Sequence, residues 1–204
     1  ISLFRSTRTE GMITLKEYVD GFAKSQETIY YLSAENADLA LASPHLESFR
    51  AKGIDVLLLT DPIDDFWLAN TPEYDGRTFQ SITRGEVDIS NVGEAKPDDE
   101  TAETALSDSF VSKMKHVLGG DVADVRSSAN LETSLARLVA DESGMDPQME
   151  RMMRAMGQEM PPVKRTLELN PDHALIQKLQ ALHTENSEDD LLGEFGELLY
   201  AQAL

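Results

Sequence analysis

Three carboxylates, Asp61, Asp64 and Asp65, follow the aliphatic run Asp55 to Thr60, where a parallel sheet places its ligands and where clustered oxygens could hold Mg²⁺. Helix capping accounts for the same residues and is the preferred reading: Asp61 precedes Pro62 as an N-cap, and the two later acids complement the helix dipole. His45, His116, His173 and His183 show no metal-ligand spacing; the last two flank one helix and read as surface or capping groups. The apolar runs end without a glycine-rich phosphate loop, and no nucleophile stands beside a base. The expectation is therefore no catalytic residue, no metal site and no cofactor within these residues. One further segment has a chemistry of its own. From Met145 to Gly157 the chain places Met149, Met152, Met153 and Met156 on one face of a predicted helix, opposite Arg151, Arg154 and Gln158. Met is unbranched and polarizable, so such a stripe suits either an irregular core or a surface that accepts partners of varied shape.

The elements that would carry these residues are mixed. Thr14 and Glu17 have capping-box spacing ahead of a short helix. Ile29 to Leu32 is β-prone, Asp38 to Lys52 reads as a helix interrupted near Ser43-Pro44 and stopped by Gly53, and Asp55 to Thr60 is nearly all aliphatic. This βαβ unit predicts parallel strands covered by helices in a small three-layer αβα subdomain over residues 1–84. A helix with Phe66 and Trp67 follows, then a turn at Glu73 to Gly76 and a strand to Thr83. Residues 85–99 are acidic, lack periodicity and read as a linker. Residues 100–204 predict an α+β domain. Its helices run from Ala102 to Val117, from the Asn170-Pro171 cap signal through Leu182, and from Ser187 onward; its strands lie at Asp121 to Ser127, Ser134 to Ala140 and Val163 to Leu169.

Composition sets the class of partner. The 204 residues are 41% apolar, enough for real cores, and carry 37 acidic against 18 basic side chains, a net charge of −19. Nucleic acid and anionic membranes are repelled by such a field, so neither is expected as a partner. The chain has no Cys, which excludes a disulfide framework and thiolate zinc sites and fits a cytoplasmic setting. No apolar run approaches membrane-spanning length, and no leader pattern is seen. The first residue is Ile1, which suggests a piece of something longer.

Longer strings carry a resemblance. Phe4-Arg5-Ser6-Thr7, Ser25 through Leu32, Ser43-Pro44-His45-Leu46-Glu47, Gly53 through Asp64 and Tyr74-Asp75-Gly76 resemble the end of the middle domain in the heat shock protein 90 chaperones. Ala140 through Arg151 and Leu167 through His173 are similar to the C-terminal dimerisation domain of that family. The lack of a long charged linker and of a eukaryote-type acidic tail resembles its bacterial branch. The resemblance implies an ATP-driven homodimeric chaperone of the stress response that remodels non-native client proteins in the cytoplasm. Its ATP and magnesium site and its catalytic Arg would lie upstream of Ile1. Carried over by position, the client-binding residues would be Asp65 and Phe66 with Trp67 adjacent, and Met145, Met149, Met152, Met153 and Met156. The family's usual aromatic after the acid is Trp, and here Phe66 stands in that place with Trp67 next to it.

For assembly, Leu191, Phe195 and Leu198 form one stripe of the last predicted helix and Leu192 and Leu199 a neighbouring one, an apolar surface wider than packing on one side requires. These five are the candidate dimerisation residues. The family dimerises through two terminal helices, and only the first is expected before Leu204. A purely structural dimerisation scaffold without client recognition is the alternative reading.

Overall fold

The computed structural model describes residues 2–94, 105–141, 150, 153, 154, 156, 157, 163–186 and 191–204. It is a mixed α/β structure that divides into two compact units, Ile1–Asp99 with Glu142–Pro161, and Glu100–Asp141 with Pro162–Leu204.

The first unit is built on β1 (Leu3–Ser6), β2 (Ile13–Thr14), β3 (Ile29–Ser33), β4 (Leu57–Leu59), β5 (Glu73–Tyr74) and β6 (Arg77–Ser81), in the order β2-β1-β4-β3-β6-β5. β3 pairs in parallel with both β4 and β6, as the βαβ pattern predicts, and β1 adds an antiparallel neighbour to β4. Strands β1 and β2 were not legible in the sequence because they are only four and two residues long, too short to show a period. Alternation along β3 and β4 divides the core in two. Tyr30, Leu32, Val56 and Leu58 meet Ala40, Leu46 and Phe49 from α2 (Ala37–Leu41), a single 3-10 turn and α3 (Glu47–Ala51). Ile29, Tyr31, Leu57 and Leu59 meet Leu15 and Tyr18 from α1 (Leu15–Asp20) and Trp67 and Leu68 from α4 (Pro62–Asn70).

Local chemistry sets the ends of these elements. Thr14 Oγ1 accepts the Glu17 amide at 3.2 Å while the Glu17 carboxylate accepts the Thr14 amide at 2.8 Å, a complete capping box. Asp75 and Gly76 both have positive φ (51° and 72°), the geometry of a two-residue hairpin turn between β5 and β6. Residues 85–94, read from the sequence as the start of a linker, instead bury Val87 and Ile89 against the α2–α3 side of the sheet. Their alternating apolar positions are masked in the sequence by acidic and polar neighbours.

The second unit has a three-stranded sheet ordered β7-β9-β8, with β7 (Val122–Ser127) parallel and β8 (Ala136–Val139) antiparallel to β9 (Arg165–Leu169). Three helices, α5 (Asp108–Val117), α6 (Ala174–Glu185) and α7 (Leu191–Ala203), supply Phe110, Met114, Ile176, Leu179, Leu192 and Leu199 to a core shared with Val125, Ala136, Leu167 and Leu169. The cap of α6 is His173, whose Nδ1 accepts the Leu175 amide at 3.1 Å, rather than Asn170. Asn170 is committed elsewhere: its side chain accepts the Asp172 amide and donates to the Ser134 carbonyl, which delays the helix by one turn. His183, expected at the surface, is buried beside the Phe110 ring.

Across the sheet, Arg126 and Arg137 are both register partners of Glu168. Arg126 Nη2 reaches Oε1 at 2.7 Å, Arg137 Nε reaches Oε2 at 2.7 Å, and the Ser128 hydroxyl donates to Oε2 at 3.0 Å. Burial alone raises the Glu168 carboxyl, yet the two guanidiniums outweigh it and hold the group below the usual carboxylate range. A carboxyl depressed in the fold contributes stability above its unfolded value, about 4.3, and loses it as pH falls through the folded value. Glu168→Gln should therefore cost roughly 3 kcal/mol at neutral pH, because Arg137 is buried and keeps no counter-charge, and the gap from wild type should shrink as pH falls below about 4. Denaturant unfolding of both proteins at pH 7 and pH 3 measures it; a gap unchanged by pH would show that the ion pairs do not carry the effect.

The last helix gives a second test. A Cβ on Gly196 would lie 3.0 Å from Val117 Cγ1 and 3.3 Å from Met114 Cε, whereas a Cβ on Gly193 meets nothing within 4 Å. Gly193→Ala should stabilise the unit by roughly 0.5–1 kcal/mol through helix propensity, and Gly196→Val should destabilise it by about 2 kcal/mol through overpacking. Thermal melts of the two variants would read opposite signs.

Candidate functional site

The capping reading of the acidic cluster can be followed atom by atom. Asp61 accepts the Ile63 amide at 3.1 Å, and the Asp64 carboxylate accepts the Asp61 amide at 3.1 Å, so both acids are engaged at the start of α4. Burial lifts the Asp64 carboxyl above the ordinary carboxylate range. The side chain of Asp65 falls outside the described residues.

Successive residues of a helix are about 100° apart, so the neighbours Phe66 and Trp67 serve different faces. Trp67 lies inward between Phe4, with ring centroids 5.2 Å apart, and Phe79, at 5.4 Å in an edge-to-face arrangement. Phe66 points outward and is 48% exposed; one turn earlier Ile63 is 62% exposed. The two form an apolar step on the outer face of α4. The Phe66 carbonyl accepts the Asn70 side-chain amide at 2.7 Å, which fixes the last turn of the helix beneath the ring. Sequence reasoning named Phe66 and Trp67 but missed Ile63, although its i, i+3 spacing to Phe66 was the available signal.

Of the methionine stripe, Met145, Met149 and Met152 lie outside the described residues. Met153 is half-buried and Met156 is 61% exposed. The described residues of this segment behave as the helix pattern predicts: Glu150 and Arg154 form an i, i+4 ion pair at 2.6 Å, and Gly157, at φ +81°, donates its amide to the Arg154 carbonyl.

The five leucine and phenylalanine candidates of α7 separate into two sets. Leu192 and Leu199 are buried in the core of their own unit, and Phe195 packs partly against it. Leu191 and Leu198, seven residues apart and thus on one stripe, are 46% and 59% exposed. Among the described residues no cluster of three His, Asp or Glu side chains is arranged to hold a metal, and no helix is long and apolar enough to cross a membrane.

Comparison with known proteins shows what the chain is similar to. The family profile described as "Hsp90 protein" matches residues 1–204. Proteins named "Chaperone protein HtpG" are similar along the whole chain: that of Rhodococcus jostii (strain RHA1) is 46% identical over 207 residues, covering 100% of this chain and 32% of the relative. That of Frankia casuarinae is 44% identical over 94% of this chain and 30% of its own length, and that of Psychromonas ingrahamii is 41% identical over 98% and 32%. The chain thus spans about a third of the length of the curated relatives it matches. A profile match over all 204 residues, with relatives above 40% identity on the same span, means that the chain belongs to the Hsp90 family of molecular chaperones.

Proposed function

We propose that this chain supplies client-binding and dimerisation surfaces to an ATP-dependent chaperone that remodels non-native proteins as a cytoplasmic homodimer. Residues 1–84 serve as the last, three-layer part of a middle domain and residues 100–204 as a dimerisation domain. The observation that carries the reading is the exposed pair Ile63 and Phe66 on α4, an apolar step on a family member whose core is already complete without it. An aromatic ring held on a rigid helix loses little conformational entropy on contact and suits recognition of exposed apolar segments. Met156 adds a flexible apolar contact of the same kind.

The same reading places the nucleotide outside these residues. The turns after β3 and β4, where a parallel sheet receives phosphates, hold no glycine, and the second is occupied by the mutually capped carboxylates Asp61 and Asp64. ATP and magnesium accordingly belong, on this reading, to the rest of the full-length protein.

Phe66→Ala should leave stability within about 0.5 kcal/mol of wild type and weaken binding of a partly unfolded client by about 2 kcal/mol, whereas Trp67→Ala should cost roughly 3 kcal/mol of stability. Thermal melts read the first quantity and fluorescence anisotropy with a labelled, destabilised client the second. Unchanged client affinity in Phe66→Ala would favour the scaffold reading instead. For assembly, replacing Leu191 and Leu198 together by Asp should abolish self-association of full-length protein in sedimentation velocity while the melting temperature of the second unit holds. Retained dimers would place the interface elsewhere.

A further inference from the structure

The distribution of positive charge in the first unit points to a site of a different kind. Some cations of this unit face a carboxylate, among them Lys16 with Asp20 and Arg77 with Asp75. Arg8, Lys24 and Lys52 do not, although acids outnumber bases two to one along the chain. These three line one open cleft of about 520 Å³ together with Gly53, Gly93 and Glu94.

Each cation is held in place by something other than an acid. Arg8 donates from Nη1 to the Gly21 carbonyl at 2.9 Å and from Nη2 to the Gly53 carbonyl at 2.6 Å, and its remaining N–H groups are uncommitted among the described residues. Lys52 is buried, and its ammonium donates to the carbonyls of Ile89 at 3.0 Å and Ser90 at 2.9 Å. Carbonyl dipoles hold this ammonium without cancelling its charge, which reaches far enough to help depress the Asp88 carboxyl after the hydrogen bonds from Ser90. Lys24 is exposed and its side chain bonds nothing among the described residues. The backbone keeps the cleft open. Gly53 sits at φ +64° with free space where a Cβ would stand, and Gly93 approaches so closely that its Cβ would fall 2.3 Å from the Lys52 carbonyl oxygen. The lining groups sum to three positive charges against the single carboxylate of Glu94, in a concave setting that focuses the field.

We propose that this cleft binds a small polyanion bearing phosphate or clustered carboxylates, with Arg8 and Lys24 as the direct donors and Lys52 as the fixed charge behind them. The volume and the number of donors suit a compact ligand with two or three anionic groups, and charge-assisted N–H bonds supply the affinity. The chain's net charge of −19 disfavours unspecific attachment of such a ligand elsewhere.

The test is calorimetric titration of the 204-residue chain in 0.15 M sodium chloride (about physiological ionic strength) with pyrophosphate and, separately, citrate. Saturable one-site binding of either ligand is the expected result; pyrophosphate alone identifies the phosphate class, citrate alone the polycarboxylate class, and both together a site that reads charge. Lys24→Glu should weaken binding by about tenfold or more with an unchanged melting temperature, since that side chain supports nothing in the fold. Glu94→Gln should tighten it. Heats no larger than those of a matched sodium chloride titration, or an affinity indifferent to both substitutions, would overturn the proposal.

Discussion

A single buried carboxylate, Asp55, ties together much of the first unit. Asp55 Oδ1 accepts the Thr7 hydroxyl at 2.8 Å, the Arg8 amide at 3.0 Å and its own neighbour's amide, Val56, at 3.0 Å. Its backbone carbonyl accepts the buried Tyr18 hydroxyl at 2.7 Å, a phenol that burial raises above its ordinary value. These bonds fasten the end of β1 to β4 and to α1 at once. Two surfaces then follow from one constraint. Because β1 is fixed, Phe4 lies under Trp67, which turns α4 so that Phe66 and Ile63 face outward; because Thr7 and Arg8 are fixed, the guanidinium spans Gly21 and Gly53 across the cationic cleft. A buried carboxylate oxygen that accepts three hydrogen bonds is costly to remove, since its donors are then left unpaired.

How far the sequence discloses this depends on the range of the interaction. The capping box at Thr14 and the N-cap at Asp61 are local and written in residue types alone, and both stand in the structure; at Asp61 the Asp64 carboxylate also reaches back to complete a box. The aliphatic runs of β3 and β4 likewise announce parallel strands, because only strands covered on both faces are apolar at successive positions. The identity of the inward aromatic is another matter. Phe66 and Trp67 are adjacent, and their division between surface and core is decided by Phe4 and Phe79, which no local pattern connects to them. For the same reason the sequence shows two stripes on α7 but not which one its own unit covers. That is settled by Gly196, whose missing side chain lets α7 lie against Val117 and Met114 of α5 and draws Leu192 and Leu199 inward.

Segments that read as linker or loop failed for a charge-related reason. Val87 and Ile89 alternate with Glu86, Asp88 and Ser90, and in a chain this acidic the polar positions dominate the pattern. What holds the segment down is the Lys52 ammonium on two of its carbonyls and the amides of Gly93 and Glu94 on the carbonyls of Lys24 and Lys52. Backbone carbonyls carry no sequence signature, so a cation that binds them looks idle in the sequence. Arg126, Glu168 and Arg137 are hidden in the same way, since three residues tens of positions apart become one network only when three strands take their register.

Both units share a common device, a helix with one apolar stripe buried inside and another left outside. In α4 the inner stripe is Trp67 and Leu68 and the outer is Ile63 and Phe66; in α7 the inner is Leu192 and Leu199 and the outer is Leu191 and Leu198. A surface built this way is rigid before contact, because the helix is already fixed by its buried side, so binding orders little beyond the outer side chains. The apolar steps, two or three residues each, also remain small against a surface carrying a net charge of −19. Against that charge, the cleft lined by Arg8, Lys24 and Lys52 gathers three cations around a single carboxylate, Glu94.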